Sequence, residues 1–295
     1  MRPLALLVIS LVTLVWAGNF AAGKKATAEI HPFIVTAMRI ILGAGFFWAL
    51  MPNRREAFRP AMLKACLPLA LTGIATNLFC FAAGIQRTVP THSAIIHALI
   101  PVGVLIIGFV VLHERVGGFA LLGMAVAIAG GVYVALLDRR QPQSATLTGD
   151  LLTMCGALAF SAYVVLGRTI IPKVGGAWRA ITTGYLISVP ISLPFLAWGL
   201  LHQDWSIVTW QGVTGTAYMI VGATFFCYSA HMWSLTHLEP LQVSVFVVVQ
   251  PMLAAMISAV LGMESITLDV VIGGLVAIAG VAAVQVATTP RRPAS

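Results

Sequence analysis

The sequence predicts an all-α membrane protein of ten transmembrane helices arranged as two inverted five-helix repeats. Three observations lead there. Of 295 residues, 59% are hydrophobic and only 9% charged, with a mean hydropathy of +0.97. Soluble domains carry roughly 25% charged residues, so this chain has too few charges to cover a surface in water, and lipid must be its main solvent. Second, the apolar residues fall into ten runs long enough to cross roughly 30 Å of hydrocarbon. Third, residues 90–135 recur at 240–285: Pro90, Pro101, Glu114, Gly123 and Gly130 return in order as Pro240, Pro251, Glu264, Gly273 and Gly280. Five spans per copy is an odd number, so the two copies enter the membrane with opposite orientation.

In order, the spans run over 4–22, 32–51, 62–84, 91–112, 119–137, 150–171, 179–200, 211–233, 240–262 and 269–287. Lipid admits only helices or closed barrels, and barrel strands would alternate polar and apolar residues. These runs do not alternate. The first follows Met1-Arg2-Pro3 and could mimic a signal peptide, but it is long for an h-region and no small-x-small cleavage site follows. The first repeat is 1–137, the linker 138–149 is rich in Gln, Pro, Ser and Thr, and the second repeat is 150–295. The opening spans of the halves also correspond: Trp16 through Lys24 matches Phe160 through Arg168, shifted by 144. Gly123, Ala127 and Gly130 in span 5 recur as Gly273, Ala277 and Gly280 in span 10. Small residues at this spacing predict that the two spans pack tightly on each other.

Basic residues set the orientation. Arg2, Arg54, Arg55, Arg59, Lys64, Arg115, Arg168, Lys173, Arg179, Arg291 and Arg292 lie on the side of the N-terminus, against Lys24, Lys25, Arg87, Arg139 and Arg140 on the other. The positive-inside rule then places both termini in the cytoplasm. The net charge of +8 reads as topology and attraction to anionic headgroups, and no basic stretch interleaved with aromatics suggests nucleic acid. The four cysteines lie inside apolar runs without metal-ligand spacing. No metal and no cofactor is expected.

For function, the telling absence is acid. No Asp or Glu lies in the middle of any span. Pumps that trade protons for cations need a membrane carboxylate with a tuned pKa, so the substrate expected is neutral or zwitterionic and its passage facilitated. Glu114 and Glu264 are read as complements to the N-termini of spans 5 and 10. Pro101 and Pro251 each free the carbonyl four residues back, at His97 and Val247, and are candidate hinges beside a cavity. Trp16, Asn19, Phe20 and Gly23 share one helix face. So do Tyr218, Val221, Phe225 and Tyr228, while Phe79, Tyr163 and Tyr185 add central aromatics. Apolar walls with a few polar anchors make a small-molecule pocket. The candidate substrate-binding residues are Trp16, Asn19, Phe79, His97, Tyr163, Tyr218, Phe246 and Gln250. Each has a bland alternative: an aromatic stripe packs, and a buried His or Gln bonds to a neighbouring helix. Arg39, the only basic residue well inside a span, either snorkels to the interface or pairs with a carbonyl, or serves as a gate or carboxylate anchor.

These residues resemble the drug/metabolite transporter superfamily in its ten-helix EamA-type branch. The likeness is carried by Trp16-Ala17-Gly18-Asn19-Phe20, Arg39, Pro101 and Pro251, and the acidic turns His113-Glu114-Arg115 and Met263-Glu264-Ser265. More narrowly, the chain looks like the YddG-type exporters of aromatic and other neutral amino acids. The resemblance implies a multi-pass exporter of the cell inner membrane with a cavity lined by spans 1–4 and 6–9, and spans 5 and 10 outside it. Expected partners are the lipid bilayer and a small-molecule substrate, amino acids first, with the chain monomeric. The alternative is a drug or polyamine exporter. An intramembrane enzyme would need a constellation such as His-Glu-x-x-His or paired membrane aspartates, and the sequence has neither.

Overall fold

The computed structural model describes residues 2–112, 117–137, 146–235 and 249–288. Among them every regular element is helical. The first five helices are α1 (Arg2–Glu29), α2 (Pro32–Leu50), α3 (Pro60–Leu69, Ala70–Thr76 and Asn77–Arg87 in one continuous rod), α4 (Pro90–Ala98 and Ile100–Leu112) and α5 (Gly118–Leu137). The second five are α6 (Leu147–Lys173), α7 (Ala177–His202), α8 (Trp210–Tyr218, Met219–Phe226 and Cys227–Leu235), α9 (Gln250–Val260) and α10 (Leu268–Thr288). Seven helices are long and apolar enough to cross a membrane, and α5, α9 and α10 supply shorter apolar stretches among the described residues. The beginning of span 9, Phe246 and Val247 with it, lies outside the described residues. So do the turn around Glu114 and most of the expected linker.

Local chemistry sets the starts. Pro32, Pro60 and Pro90 occupy first helical turns, where a missing N–H leaves no bond broken. Thr146 caps α6 by accepting from Gly149 N, so that helix begins at Leu147, earlier than position 150 expected from hydropathy. The turn between α6 and α7 requires positive φ at Gly175 and Gly176, 79° and 124°, which glycine supplies without a Cβ clash.

The helices pair across the halves. α2 packs on α7, α4 on α9 and α5 on α10, while α1 runs along α8 and α3 along α6. Exchanging the first five helices for the second maps this set of pairs onto itself. The α5–α10 contact is backbone to backbone, as the small-residue pattern predicts. A Cβ on Gly130 would meet Gly273 O at 2.7 Å, and one on Gly280 would meet Gly123 O at 2.7 Å.

One end of the bundle carries the N-terminus, the other the α1–α2, α3–α4 and α9–α10 turns. This far end is filled. Phe20, Ala26, Ile30, Ile34, Val35, Phe81, Ile85, Ala94, Met219 and Ala254, drawn from six helices and the α1–α2 turn, form one apolar cluster. Glu264 departs from its expected role at the start of α10. It accepts the backbone N–H of Thr91 (3.2 Å), in the first turn of α4, where unbonded amides of the other half favour a carboxylate. The start of α10 has Asp269 instead, which accepts from the Tyr133 hydroxyl of α5 (2.9 Å).

Candidate functional site

Two regions between the halves gather polar and aromatic side chains. The first lies at mid-depth, where α8 departs from α geometry. Met219–Phe226 is π-helical, and Ala70–Thr76 is the corresponding stretch of α3. A π turn takes an extra residue and weakens the i→i+4 ladder, so its carbonyls become available to other donors. In α8 they are used. Thr224 Oγ1 donates to Met219 O (3.0 Å), and Ala223 O accepts the indole N–H of Trp16 (3.2 Å). The Thr224 oxygen in turn accepts from Nε of Arg39 (3.1 Å).

Arg39 is 4% exposed. Among the described residues the bond to Thr224 is its only hydrogen bond, and no carboxylate pairs with it. The Tyr185 and Tyr228 phenols and the Cys227 thiol lie within electrostatic reach. Gly43, one turn along α2 on the same face, makes room for the Tyr185 ring, which a Cβ there would approach to 2.7 Å. The rings continue toward the near end: Tyr185 meets Tyr228 edge-on at 5.9 Å and Phe47 at 5.1 Å, and Trp16 meets Tyr228 at 6.2 Å and His231 at 5.3 Å.

The other predicted residues are placed as follows. Asn19, three residues beyond Trp16 on α1, is buried, and its Oδ1 has no hydrogen-bond partner. His97 bonds through Nδ1 to Ser93 O (2.8 Å), with its ring edge-on to Phe20 and Phe81. Gln250 is buried in the first turn of α9. Tyr163 lies over Gly73 in the π stretch of α3. Phe79 joins Phe33 and Phe195 on the α2–α7 side, where Phe195 is exposed. Tyr218 is exposed as well and donates to Val15 O (2.9 Å). Trp16 and Arg39 are thus brought together on the π stretch of α8, while Phe79 and Tyr218 are not part of that arrangement. α4 breaks at Leu99, two residues before Pro101, and Ile100 O accepts from Ser161 of α6 (3.1 Å). Pro251 falls at the start of the described part of α9.

The second region closes the far end with polar bonds between the halves. Asp150 of α6 accepts from Thr88 and lies 3.5 Å from Nδ1 of His92, all three being buried. Lys24 donates to Gln86 O (3.0 Å) and Thr88 O (2.7 Å) and is within electrostatic reach of Glu264. Burial pushes the Glu264 carboxyl above the usual carboxylate range, against the pull of its Thr91 bonds. On the other flank, Gln203 accepts from His31 N (2.6 Å) and donates to Glu29 O (2.9 Å), and Glu29 accepts from Thr209 and Gly212 at the start of α8. At the near end, Arg179 pairs with Glu56 at 3.0 Å. Thr224, Thr88 and the burial of Asp150 escaped the sequence reading. The only signal was a polar residue in or beside an apolar run, and their partners are more than 60 residues away or in the other half.

The EamA-like transporter family model matches residues 3–136 and 147–285, one stretch in each half. A protein of Archaeoglobus fulgidus named as an uncharacterized transporter is 26% identical over 285 residues, covering 93% of this chain and 95% of that relative. An S-adenosylmethionine/S-adenosylhomocysteine transporter of Chlamydia muridarum is 27% identical over 131 residues, 43% of this chain and 41% of the relative. A solved crystal structure superposes with a TM-score of 0.65 over 96% of both chains at 17% identity, a likeness of fold.

Proposed function

Because the chain belongs to the EamA-like transporter family, we propose that it exports small neutral or zwitterionic metabolites, foremost amino acids including aromatic ones, by alternating access. The observation that carries this reading is the chemistry at mid-depth: one buried cation, Arg39, unpaired acceptors such as Asn19 Oδ1, and aromatic walls. A zwitterion matches that set, whereas a polyamine or cationic drug would want mid-span acids, which the sequence lacks.

In this reading 1–137 and 150–295 are inverted five-helix units joined by 138–149. The matched stretch in each half and the self-mapping helix pairs support it. Both termini face the cytoplasm across the inner membrane, so the far end is the outer one and its seal is the outer gate. Trp16, Asn19, His97 and Gln250 contact substrate with Arg39, and Pro101 and Pro251 act as hinges. The chain works as a monomer without a cofactor.

The test is efflux of radiolabelled L-phenylalanine from proteoliposomes, with and without a pH gradient. Efflux faster than from protein-free vesicles, and indifferent to the gradient, is expected. Equality with protein-free vesicles across the amino acids would reject the reading. The Chlamydia relative supports including S-adenosylmethionine in the panel, since that molecule also ends in an α-amino acid group.

A further inference from the structure

A guanidinium has five N–H donors in a planar fork. In Arg39 the Nε–H is held by Thr224, and the Nη groups have no hydrogen-bond partner among the described residues. A buried cation without a counter-charge is strongly disfavoured in a membrane interior, so its fork selects an anion when one arrives. The planar pair of Nη donors matches a carboxylate bidentately. A single cation balances one negative charge, which favours a carboxylate over a phosphate dianion.

The surroundings add two features. Trp16 lies against α8 at Ala223, next to the Thr224 that holds Arg39, and with Tyr228 it offers ring faces and edges to an aromatic side chain. Three residues on from Trp16, the buried Asn19 Oδ1 is an acceptor without a donor, as an ammonium group requires. In the other half, Ser188 of α7 lies 3.4 Å from Ala70 O in the α3 π stretch, a neutral contact where α2 presents Arg39 to α8. The α8 π stretch thus meets a cation and the α3 π stretch a neutral hydroxyl.

We propose that the Arg39 fork is the carboxylate subsite of the transport route, with Nε fixed on Thr224 and Asn19 receiving the ammonium group of an aromatic amino acid. This rests on the amino-acid reading above.

The experiment uses the full chain in nanodiscs with three probes: L-phenylalanine, L-phenylalaninamide, which lacks the carboxylate, and 3-phenylpropionate, which lacks the ammonium. Wild type should bind phenylalanine more tightly than the amide by about tenfold or more, the worth of one charge-assisted bond. Arg39→Gln should bring the two within about twofold, with Arg39→Lys between, because lysine keeps the charge and loses the fork. Asn19→Leu should reduce the preference for phenylalanine over phenylpropionate and leave that over the amide. Should Arg39→Gln fail to fold, wild type still decides: phenylglyoxal modification of Arg39, followed by peptide mass spectrometry, should be slowed by phenylalanine and not by the amide. If wild type transports and binds phenylalanine but Arg39→Gln discriminates as before, or phenylalanine leaves Arg39 unprotected, the subsite is elsewhere and the exporter reading stands. If wild type neither transports nor binds phenylalanine, the aromatic amino acid subsite falls, and the exporter reading falls with it only if the other amino acids also leave no faster than from protein-free vesicles.

Discussion

Asn19 and Glu264 show how individual side chains set stability against function. The Asn19 oxygen is buried without a donor, and such a group costs about 1–3 kcal/mol relative to a satisfied one. Asn19→Leu should therefore raise the melting temperature while lowering transport, a trade common where a site is kept unsatisfied for its ligand. Parallel thermal melts and efflux assays check this, and a fall in both quantities would mark Asn19 as structural. For Glu264, burial raises the carboxyl's pKa in the folded chain. A raised folded value means that the stability it contributes is complete below the unfolded carboxylate pKa and is lost as pH rises through the folded one. Glu264→Gln mimics the protonated form. Its melting temperature should exceed that of wild type at about pH 7 and converge with it at about pH 4.

Among elements, the π stretches decide which way α8 presents its side chains. A regular helix would put Tyr218, Val221, Phe225 and Tyr228 on one face. With Met219–Phe226 π-helical, Tyr218 and Val221 are exposed while Tyr228 is buried beside Tyr185. A π turn leaves no mark in hydropathy, since the extra residue is apolar like its neighbours. Thr224→Val removes both the Met219 bond and the acceptor for Arg39, and should lower substrate affinity while leaving the carboxylate preference measurable. The α5–α10 pair is simpler. Gly130→Ala and Gly280→Ala each push a methyl into the opposing backbone, so each should destabilise by about 1–3 kcal/mol. The expected signature in denaturation and binding assays is reduced stability with substrate affinity unchanged in the folded fraction, because neither glycine touches the mid-depth site.

For the whole molecule, the far-end bonds describe a closed outer gate under the proposed topology. A disulfide from His31→Cys with Gln203→Cys, positions linked at 2.6 Å through the Gln203 side chain, should arrest transport, and reductant should restore it. Transport at full rate with the crosslink formed would show that this end need not open. The orientation is checked separately: a membrane-impermeant maleimide added to intact cells should label Asp204→Cys and spare Arg55→Cys. The reverse pattern would invert the topology.

Composition, span length and the recurrence of Pro90 through Gly130 as Pro240 through Gly280 determined a helical membrane protein with tight α5–α10 contact. Hydropathy reports the solvent of a segment, and repeat spacing reports its ancestry, so both are written locally in the chain. The tertiary structure decided that Arg39 meets Thr224, that Glu264 reaches α4 instead of capping α10, that Asp150 and His92 are buried together, and that Tyr218 turns away from Tyr228. Each depends on the rotation of one helix against another from the opposite half. That rotation is set by packing and a π turn, which no single segment's sequence encodes.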